Sequence, residues 1–368
     1  MKFNVYYNMS KNNLFNRKNN TQLKAEREKE NFKRITCSFY RYIKISDPKS
    51  LRNILYKEFS NINILGRVYI ANEGINAQID VPISNWDYFI KILNSHSQFS
   101  DMFIKKAVME SDYSFLKLII KIKHKIVADG LNENSYDLSN IGTRLNAIEF
   151  NKAMEDPDSV LVDIRNYYES EVGHFEGAIC PDVETFKESL PIIKKQLEKN
   201  KNKKILLYCT GGIRCEKASA YLKHHNFKDV NQLEGGIIEY SHQVKKEKLK
   251  SKFKGKNFVF DFRMNESITE EIISNCHQCD QPSDSHTNCN NQACHILFIQ
   301  CFKCNVKFNG CCSMDCKNID SMSIEDQKKI RKNPKKAAPL KQFQKGIKPK
   351  LKDLLDEQKK NLFRNVKK

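Results

Sequence analysis

Cysteine is concentrated in one stretch of this chain to a degree that few folds accommodate. Nine of the 13 cysteines lie between Cys276 and Cys316, and they include two CxxC pairs. Thiols packed this densely would oxidise, whereas a structural zinc site uses four thiolate or imidazole ligands. We therefore predict a small cysteine-rich zinc module at 276–316, with enough ligands for two metal sites.

The ligands of this zinc module cannot be grouped from spacing alone. The candidate ligands are Cys276, Cys279, Cys289, Cys294, Cys301, Cys304, Cys311, Cys312 and Cys316. An iron–sulfur cluster, which is also held by cysteine thiolates, is the alternative to zinc. The remaining four cysteines stand apart from the module: Cys37, Cys180, Cys209 and Cys215.

The sequence also indicates the compartment of the protein and the redox state of its thiols. The N-terminal 31 residues are polar and contain no apolar leader segment. No apolar run approaches the roughly 20 residues that cross a bilayer. We therefore expect a cytoplasmic protein with reduced cysteines and no membrane partner.

Positive charge is concentrated at the C-terminal end. The chain carries 63 Lys and Arg against 44 Asp and Glu, for a net charge of +19. Residues 327–368 contain 16 Lys and Arg against 3 Asp and Glu, so this segment supplies most of the surplus. Such a positive balance favours a polyanionic partner. The alternative is that an AT-rich genome encodes proteins rich in Lys and Asn, which would produce the same charge without selection for binding. A segment this charged is expected to be disordered, or loosely helical near Leu351 to Phe363, without RNA.

Alternating apolar residues predict an N-terminal α+β domain over residues 32–130. The expected order is strand, helix, strand, strand, helix, strand, with Asp47-Pro48 opening the first helix and residues 116–127 forming the last strand. This order is that of the ferredoxin-like fold.

A second domain is predicted over residues 147–243. Short, continuously apolar strands alternate there with helices, which is typical of a parallel sheet covered on both faces. The remaining segments are predicted to be a polar tail at 1–31, linkers at 131–146 and 244–275, and a basic tail at 317–368.

The loop after the strand that ends at Tyr208 carries the strongest chemical signal. Its residues are Cys209, Thr210, Gly211, Gly212, Ile213 and Arg214, followed by Cys215 in the next helix. Backbone N–H groups and a helix N-terminus stabilise a thiolate at the first position. Cys209 is therefore the predicted nucleophile, while Cys215 is a rival, a resolving thiol or a small helix residue.

Loop length separates two kinds of thiolate chemistry. Four residues lie between Cys209 and Arg214, where phosphatase loops have five, and the shorter ring suits a terminal persulfide sulfur. With Val162-Asp163-Ile164-Arg165, Glu169, Gly173-His174-Phe175-Glu176-Gly177-Ala178 and Leu233-Glu234-Gly235-Gly236-Ile237, the loop resembles a rhodanese-like domain. The resemblance implies that Cys209 carries persulfide sulfur. We interpret Asp163 and Arg165 as a structural ion pair.

A narrower resemblance covers about residues 32–316. The segment Gly66 to Ala77, the segment Cys209 to Lys217, and Cys276-His277-Gln278-Cys279 with His286-Thr287-Asn288-Cys289 together resemble the tRNA uridine(34) hydroxylases of the rhodanese group. That resemblance implies an oxidoreductase that uses molecular oxygen to convert the wobble uridine of tRNA to 5-hydroxyuridine. The sequence contains no flavin or nicotinamide fingerprint. Glu73 and Asn76 are possible substrate contacts, although a hairpin turn accounts for the glycine between them.

Two other functions fit parts of the sequence. A rhodanese-type sulfurtransferase would need the Cys209 loop but would leave the other domains unexplained. A zinc-dependent RNA-binding protein without enzymatic activity would need the zinc module and the basic tail, but it would have no use for Cys209 and Arg214.

Overall fold

The computed structural model describes residues 14–110, 113–132, 135–344 and 346–366, which form two units. The first unit consists of the described residues up to Ala128 together with Phe260–Arg263. The second consists of Asp129–Val259 and the described residues from Met264 onwards. Residues 1–13 of the predicted polar tail lie outside the described residues.

The described part of the first unit has these helices and strands: α1 (Asn20–Glu28), β1 (Arg34–Tyr42), α2 (Pro48–Asn61), β2 (Leu65–Ala71), β3 (Gly74–Pro82), α3 (Trp86–Ser95), β4 (Lys105–Lys106) and β5 (Leu118–Ile122). The sheet has the order β4-β1-β3-β2-β5, with β3 antiparallel to both β1 and β2. Its first four strands reproduce the ferredoxin-like order, so the predicted fold of this domain is confirmed. Asp47 caps α2 by accepting hydrogen bonds from the N–H groups of Lys49 and Ser50, as its sequence indicates.

The last strand of this pattern differs from the prediction. The strand beside β1 is β4, which has only two residues and pairs with Cys37 and Ser38. The apolar segment predicted to close the fold forms β5 instead, which runs parallel to β2 at the opposite edge. Two lysines give no alternation signal, so the short strand could not be recognised. Part of the predicted polar tail also folds as α1, because Leu23 is buried and Asn19 forms a capping box with Gln22.

The second unit begins with a rhodanese-like α/β arrangement. Its elements are β6 (Thr143–Leu145), α4 (Ala147–Met154), β7 (Ser159–Asp163), α5 (Tyr167–Ser170), β8 (Gly173–Phe175), α6 (Phe186–Gln196), β9 (Lys204–Tyr208), α7 (Ile213–His224), β10 (Asp229–Leu233) and α8 (Gly236–Lys246). Strands β6, β10, β9 and β7 form a parallel sheet in that order. This confirms the predicted parallel sheet. Buried Phe150, Leu206 and Ile237 belong to the core that packs around it.

The remainder of the second unit is folded as well. Its elements are β11 (Phe253–Phe258), β12 (Asn265–Ser267), β13 (His286–Asn288), β14 (Leu297–Ile299), α9 (Phe302–Phe308), α10 (Met314–Asp320), α11 (Ile324–Arg331), α12 (Pro334–Ala337) and α13 (Leu351–Val366). Strand β11 joins β8 and β12 in a second sheet. The segments predicted as linkers therefore contain strands: β6 in the first, and β11 and β12 in the second.

The basic tail has the helix that was one of its two predicted states, α13, but its described residues are packed against a core and are not loose or disordered. Ala338 and Leu351 are buried in the same core as five of the cysteines, with Leu354 and Leu355 packed against it. Leu351, Leu354 and Leu355 recur at the spacing of one helix face, which gives α13 an apolar side to bury. Net charge masked this pattern in the sequence. Within the described chain, no helix combines the length and apolarity needed to span a membrane.

Candidate active site

Cys209 lies between the end of β9 and the start of α7 and has no exposed surface. The loop turns back over the sulfur at Gly212, whose φ of +92° lies in the left-handed region that favours glycine. The N–H group of Gly212 donates a hydrogen bond to Sγ of Cys209 at 3.2 Å. The predicted arrangement of backbone donors around this sulfur is therefore present.

The surroundings of Cys209 favour its thiolate. Burial alone would raise its pKa, but a hydrogen bond from Cys215, the Arg214 charge and the N–H groups of Arg214 and Gly212 outweigh burial and lower the pKa to about 5. A thiol with this pKa is almost fully ionised at neutral pH.

Cys215 has the opposite character. It is fully buried, and burial together with its hydrogen bond to Cys209 raises its pKa well above the usual value. Its protonated thiol therefore donates to the Cys209 thiolate. This geometry favours a positioning role for Cys215 over that of a rival nucleophile.

Arg214 is held by a residue that the sequence analysis did not place in the site. Its Nη1 and Nη2 atoms lie 2.6 and 2.7 Å from the two carboxylate oxygens of Glu169, whose side chain is fully buried. Thr210 lies beside this pair, with its Oγ1 3.4 Å from Arg214 Nη2. A two-point carboxylate contact fixes the guanidinium plane, so Arg214 acts on Cys209 from a set position. The place of Glu169 in the rhodanese-like signature was the available signal, and only the fold shows that Glu169 meets Arg214.

The loop is also backed by the start of α8. A Cβ atom on Gly236 would lie 2.5 Å from the carbonyl oxygen of Cys209 and 2.7 Å from the nitrogen of Gly211. The N–H group of Ile237 donates to the same Cys209 carbonyl at 3.0 Å. Only glycine permits this approach, which explains the second glycine of the Leu233–Ile237 motif.

The predicted structural ion pair is confirmed. Arg165 Nη2 and Asp163 Oδ2 are 2.6 Å apart, and both side chains are completely buried. Arg165 also donates to the carbonyl of Gly173, which ties β7 to β8.

Comparisons with known proteins agree with this geometry. Family models match as a UPF0176 acylphosphatase-like domain at residues 34–126, a rhodanese-like domain at 146–243 and a rhodanese C-terminal domain at 254–317. The tRNA uridine(34) hydroxylase of Leptospira interrogans is 56% identical over 310 residues, which are 84% of this chain and 84% of that protein. The tRNA uridine(34) hydroxylase of Escherichia fergusonii is 48% identical over 319 residues, 86% of this chain and 91% of that protein.

The chain belongs to the tRNA uridine(34) hydroxylase family. In this family member eight of the nine cysteines of the predicted zinc module form two tetrads. The first tetrad is Cys276, Cys279, Cys301 and Cys304, and the second is Cys289, Cys294, Cys312 and Cys316. Within each tetrad the four sulfur atoms lie within 4.8 Å of one another. Cys311, also a predicted ligand, belongs to neither tetrad.

The sulfur spacing fits tetrahedral zinc. Zinc–sulfur bonds of about 2.3 Å place the sulfurs of a tetrahedral site roughly 3.8 Å apart. The Sγ atoms of Cys279 and Cys301 are 3.6 Å apart, and Sγ of Cys312 is 3.7 Å from those of Cys294 and Cys316. Each tetrad therefore has the geometry to hold one ion.

The zinc module contacts the helix that carries Glu169. His277, inside the first CxxC pair, has its Nε2 2.9 Å from Oε1 of Glu171, which follows α5. Leu297 of β14 packs with Tyr168 and Phe258 in a small core beside α5. Within the second unit, the zinc module therefore packs against α5, the helix that carries Glu169 of the Cys209 site.

The hairpin residues of the first unit make structural contacts. Oε1 of Glu73 accepts a hydrogen bond from the N–H group of Ile126 at 2.7 Å, and Nδ2 of Asn76 donates to the Ile126 carbonyl at 3.3 Å. These two contacts hold the irregular segment that follows β5 against the hairpin. They account for both side chains without a substrate, and substrate contact by Glu73 and Asn76 stays a prediction.

Proposed function

We propose that this chain hydroxylates the wobble uridine of tRNA, at position 34, to 5-hydroxyuridine, with Cys209 as the catalytic residue. Family membership supports the reaction, and the Cys209 thiolate surrounded by N–H donors is the observation that carries the role of the residue. The proposed substrate is tRNA, and the proposed location of the activity is the cytoplasm.

Hydroxylation replaces the hydrogen on C5 of the uracil ring by a hydroxyl group. One atom of O2 enters the product, and the other leaves as water after a reductant has supplied two electrons and two protons. Two thiols that become a disulfide can supply them. Molecular oxygen is therefore the proposed co-substrate.

Cys209 can activate C5 without a bound redox group. C6 of uracil is the β-carbon of an unsaturated carbonyl, so a thiolate can add to it. Addition of Sγ of Cys209 to C6 moves an electron pair towards C5, the carbon that must react with oxygen. Loss of the C5 proton after oxygenation re-forms the ring double bond and releases the thiolate.

The remaining loop residues serve this thiolate. Gly211, Gly212 and Ile213 form the loop backbone, Arg214 contributes its fixed charge, and Cys215 donates a hydrogen bond. Zinc in the two tetrads would be held by the eight cysteines that form them, and it would supply charge compensation and cross-linking of the zinc module.

Mass spectrometry of tRNA nucleosides tests this function. A strain that lacks the protein is expected to lose 5-hydroxyuridine and the nucleosides made from it, and to regain them on complementation. Loss of thiolated nucleosides instead would support a sulfurtransferase, and an unchanged profile would support a non-enzymatic RNA-binding protein.

Covalent capture tests the role of Cys209. An anticodon stem-loop RNA with 5-fluorouridine at position 34 cannot lose a proton from C5, so the C6 adduct should persist. We expect the RNA adduct on the peptide that contains Cys209. Capture also tests access, because Cys209 has no exposed surface in the free protein. An adduct on another cysteine would refute the assignment.

A further inference from the structure

The segment between α12 and α13 crosses the second unit next to the Cys209 site. The carbonyl of Lys348 accepts a hydrogen bond from the Tyr167 hydroxyl at 2.7 Å, and its N–H group donates to Oε2 of Glu184 at 3.1 Å. Two residues later, Nζ of Lys350 pairs with Oδ2 of Asp182 at 2.6 Å. The backbone of Lys348 is therefore fixed against α5 and the segment that precedes α6.

The Lys348 side chain points at an aromatic wall. Its Nζ lies 4.9 Å from the ring centroid of Tyr168 and 5.9 Å from that of Phe258. Among the described residues, no acceptor lies within hydrogen-bond or ion-pair distance of this ammonium. Lys350, by contrast, has a carboxylate partner of its own.

The surroundings of this ammonium leave room for an anion to stabilise its charge. Burial lowers the pKa of Lys348, and the charge of Glu169 only partly opposes that effect. Cation–π contact with Tyr168 and Phe258 contributes modestly. A bound anion would supply the missing acceptor.

The same wall borders the loop of Cys209. The carbonyl oxygen of Phe258 is 3.5 Å from Oγ1 of Thr210, the residue after the nucleophile. Tyr168 is the neighbour of Glu169, which binds Arg214. Lys348 is thus connected to the catalytic loop through one layer of side chains.

We propose that Lys348 binds a phosphate of the RNA backbone next to the nucleotide that enters the Cys209 site, and so positions the substrate. The inference rests on the proposed function, because RNA supplies the phosphate. Enzymes that act on a base bring an unstacked nucleotide into a pocket, which places its flanking phosphates at the rim. A lysine at that rim whose ammonium has no protein acceptor can bind one phosphate at a fixed position. The other positive charges of the basic tail attract RNA without a defined position.

A pair of matched substitutions tests this role. Lys348→Met keeps the aliphatic packing on the rings and removes the charge, while Lys350→Met removes one charge two residues away. Binding of an anticodon stem-loop RNA with uridine at position 34 would be measured across salt concentrations. For Lys348→Met we expect roughly 10-fold weaker binding and a slope of log affinity against log salt that is shallower by about 0.7. For Lys350→Met we expect less than about a 2-fold change.

Steady-state kinetics and a conservative variant complete the test. Lys348→Met should raise KM by roughly 10-fold and lower kcat by less than about 3-fold, and Lys348→Arg should restore most of the binding. Equal effects of Lys348→Met and Lys350→Met, or no recovery with Lys348→Arg, would overturn the inference. If the wild-type protein forms no 5-hydroxyuridine although Lys348 governs RNA binding, the proposed reaction fails and the phosphate contact stands.

Discussion

Cys209 and the zinc module use the same side chain in opposite ways. At Cys209 a single sulfur is surrounded by hydrogen-bond donors, which stabilise its negative charge and leave an electron pair able to attack carbon. In the module eight sulfurs converge at two points, where each electron pair can be shared with a metal ion. A nucleophilic cysteine is therefore distinguished here by the hydrogen-bond donors around a single sulfur, and a metal ligand by three other sulfurs within 4.8 Å.

The two regions are nevertheless connected. His277 lies within the first tetrad's CxxC pair and contacts Glu171, and Leu297 packs beside Tyr168. Both contacts bear on α5, which carries the Arg214 partner Glu169. Metal binding should therefore support the geometry of the Cys209 site although none of the eight tetrad cysteines belongs to that site.

Removal of metal should produce the largest effect. We expect two zinc ions per chain by elemental analysis, and a chelator strong enough to remove them should unfold the zinc module. The loss corresponds to roughly 10 kcal/mol of apparent binding free energy per site. Activity should fall with the metal, because α5 loses its support.

A single ligand substitution localises this effect. Cys294→Ser should reduce the zinc content from two ions to one, whereas Cys311→Ser should leave two ions bound because Cys311 lies outside both tetrads. The assignment of the tetrads is wrong if Cys311→Ser loses one zinc ion and Cys294→Ser keeps two. Visible absorbance of an iron–sulfur cluster in the purified protein would exclude zinc as the metal.

Substitution of Cys209 should abolish activity without affecting metal content or stability. Cys209→Ser should lower the rate of 5-hydroxyuridine formation roughly a thousandfold or more, because serine is not ionised at neutral pH. Its zinc content and melting temperature should match those of the wild type. Cys180→Ser is the matched control, since Cys180 lies in the same unit and burial raises its pKa to about 12. Near-normal activity in Cys209→Ser would refute a catalytic role for this residue.

The contrast between these regions also shows what a sequence can predict. The Cys209 loop was recognisable because its donors are consecutive residues, and the ferredoxin-like and parallel sheets follow from local apolar patterns. The two tetrads could not be recognised from the sequence, because each combines cysteines that are far apart in the chain, such as Cys289 and Cys316. The contact of Glu169 with Arg214 and the position of Lys348 were missed for the same reason.

Packing around the second tetrad offers a smaller test. Leu351 is fully buried in the core that contains Cys289 and Cys294, so Leu351→Ala should destabilise this region by about 2–5 kcal/mol. A chromogenic chelator should then remove one zinc ion faster than the other. Ile347→Ala is the control, because Ile347 is 44% exposed and its truncation should cost less than about 0.5 kcal/mol. Equal zinc release from both variants would show that α13 does not seal the tetrad.

The smallest expected effect is a shift in pH dependence. Burial would raise the pKa of Cys209, but the Cys215 hydrogen bond and the other donors lower it to about 5. The thiolate, and with it the activity, should therefore persist above this pH and disappear as the pH falls through it. Cys215→Ala removes one donor, so the pKa of Cys209 should rise and the midpoint of the acid limb should move to higher pH by about one unit.

Cys215→Ser separates this positioning role from redox chemistry. Its hydroxyl can still donate to the Cys209 thiolate, so the acid limb should stay near that of the wild type. A resolving thiol, by contrast, would be essential at every pH, and both Cys215→Ala and Cys215→Ser would be inactive throughout. The pH–rate profiles of the two variants therefore distinguish the roles, because a donor is replaced by serine and a redox partner is not. An unmoved acid limb in active Cys215→Ala would show that backbone N–H groups and Arg214 suffice to hold the thiolate.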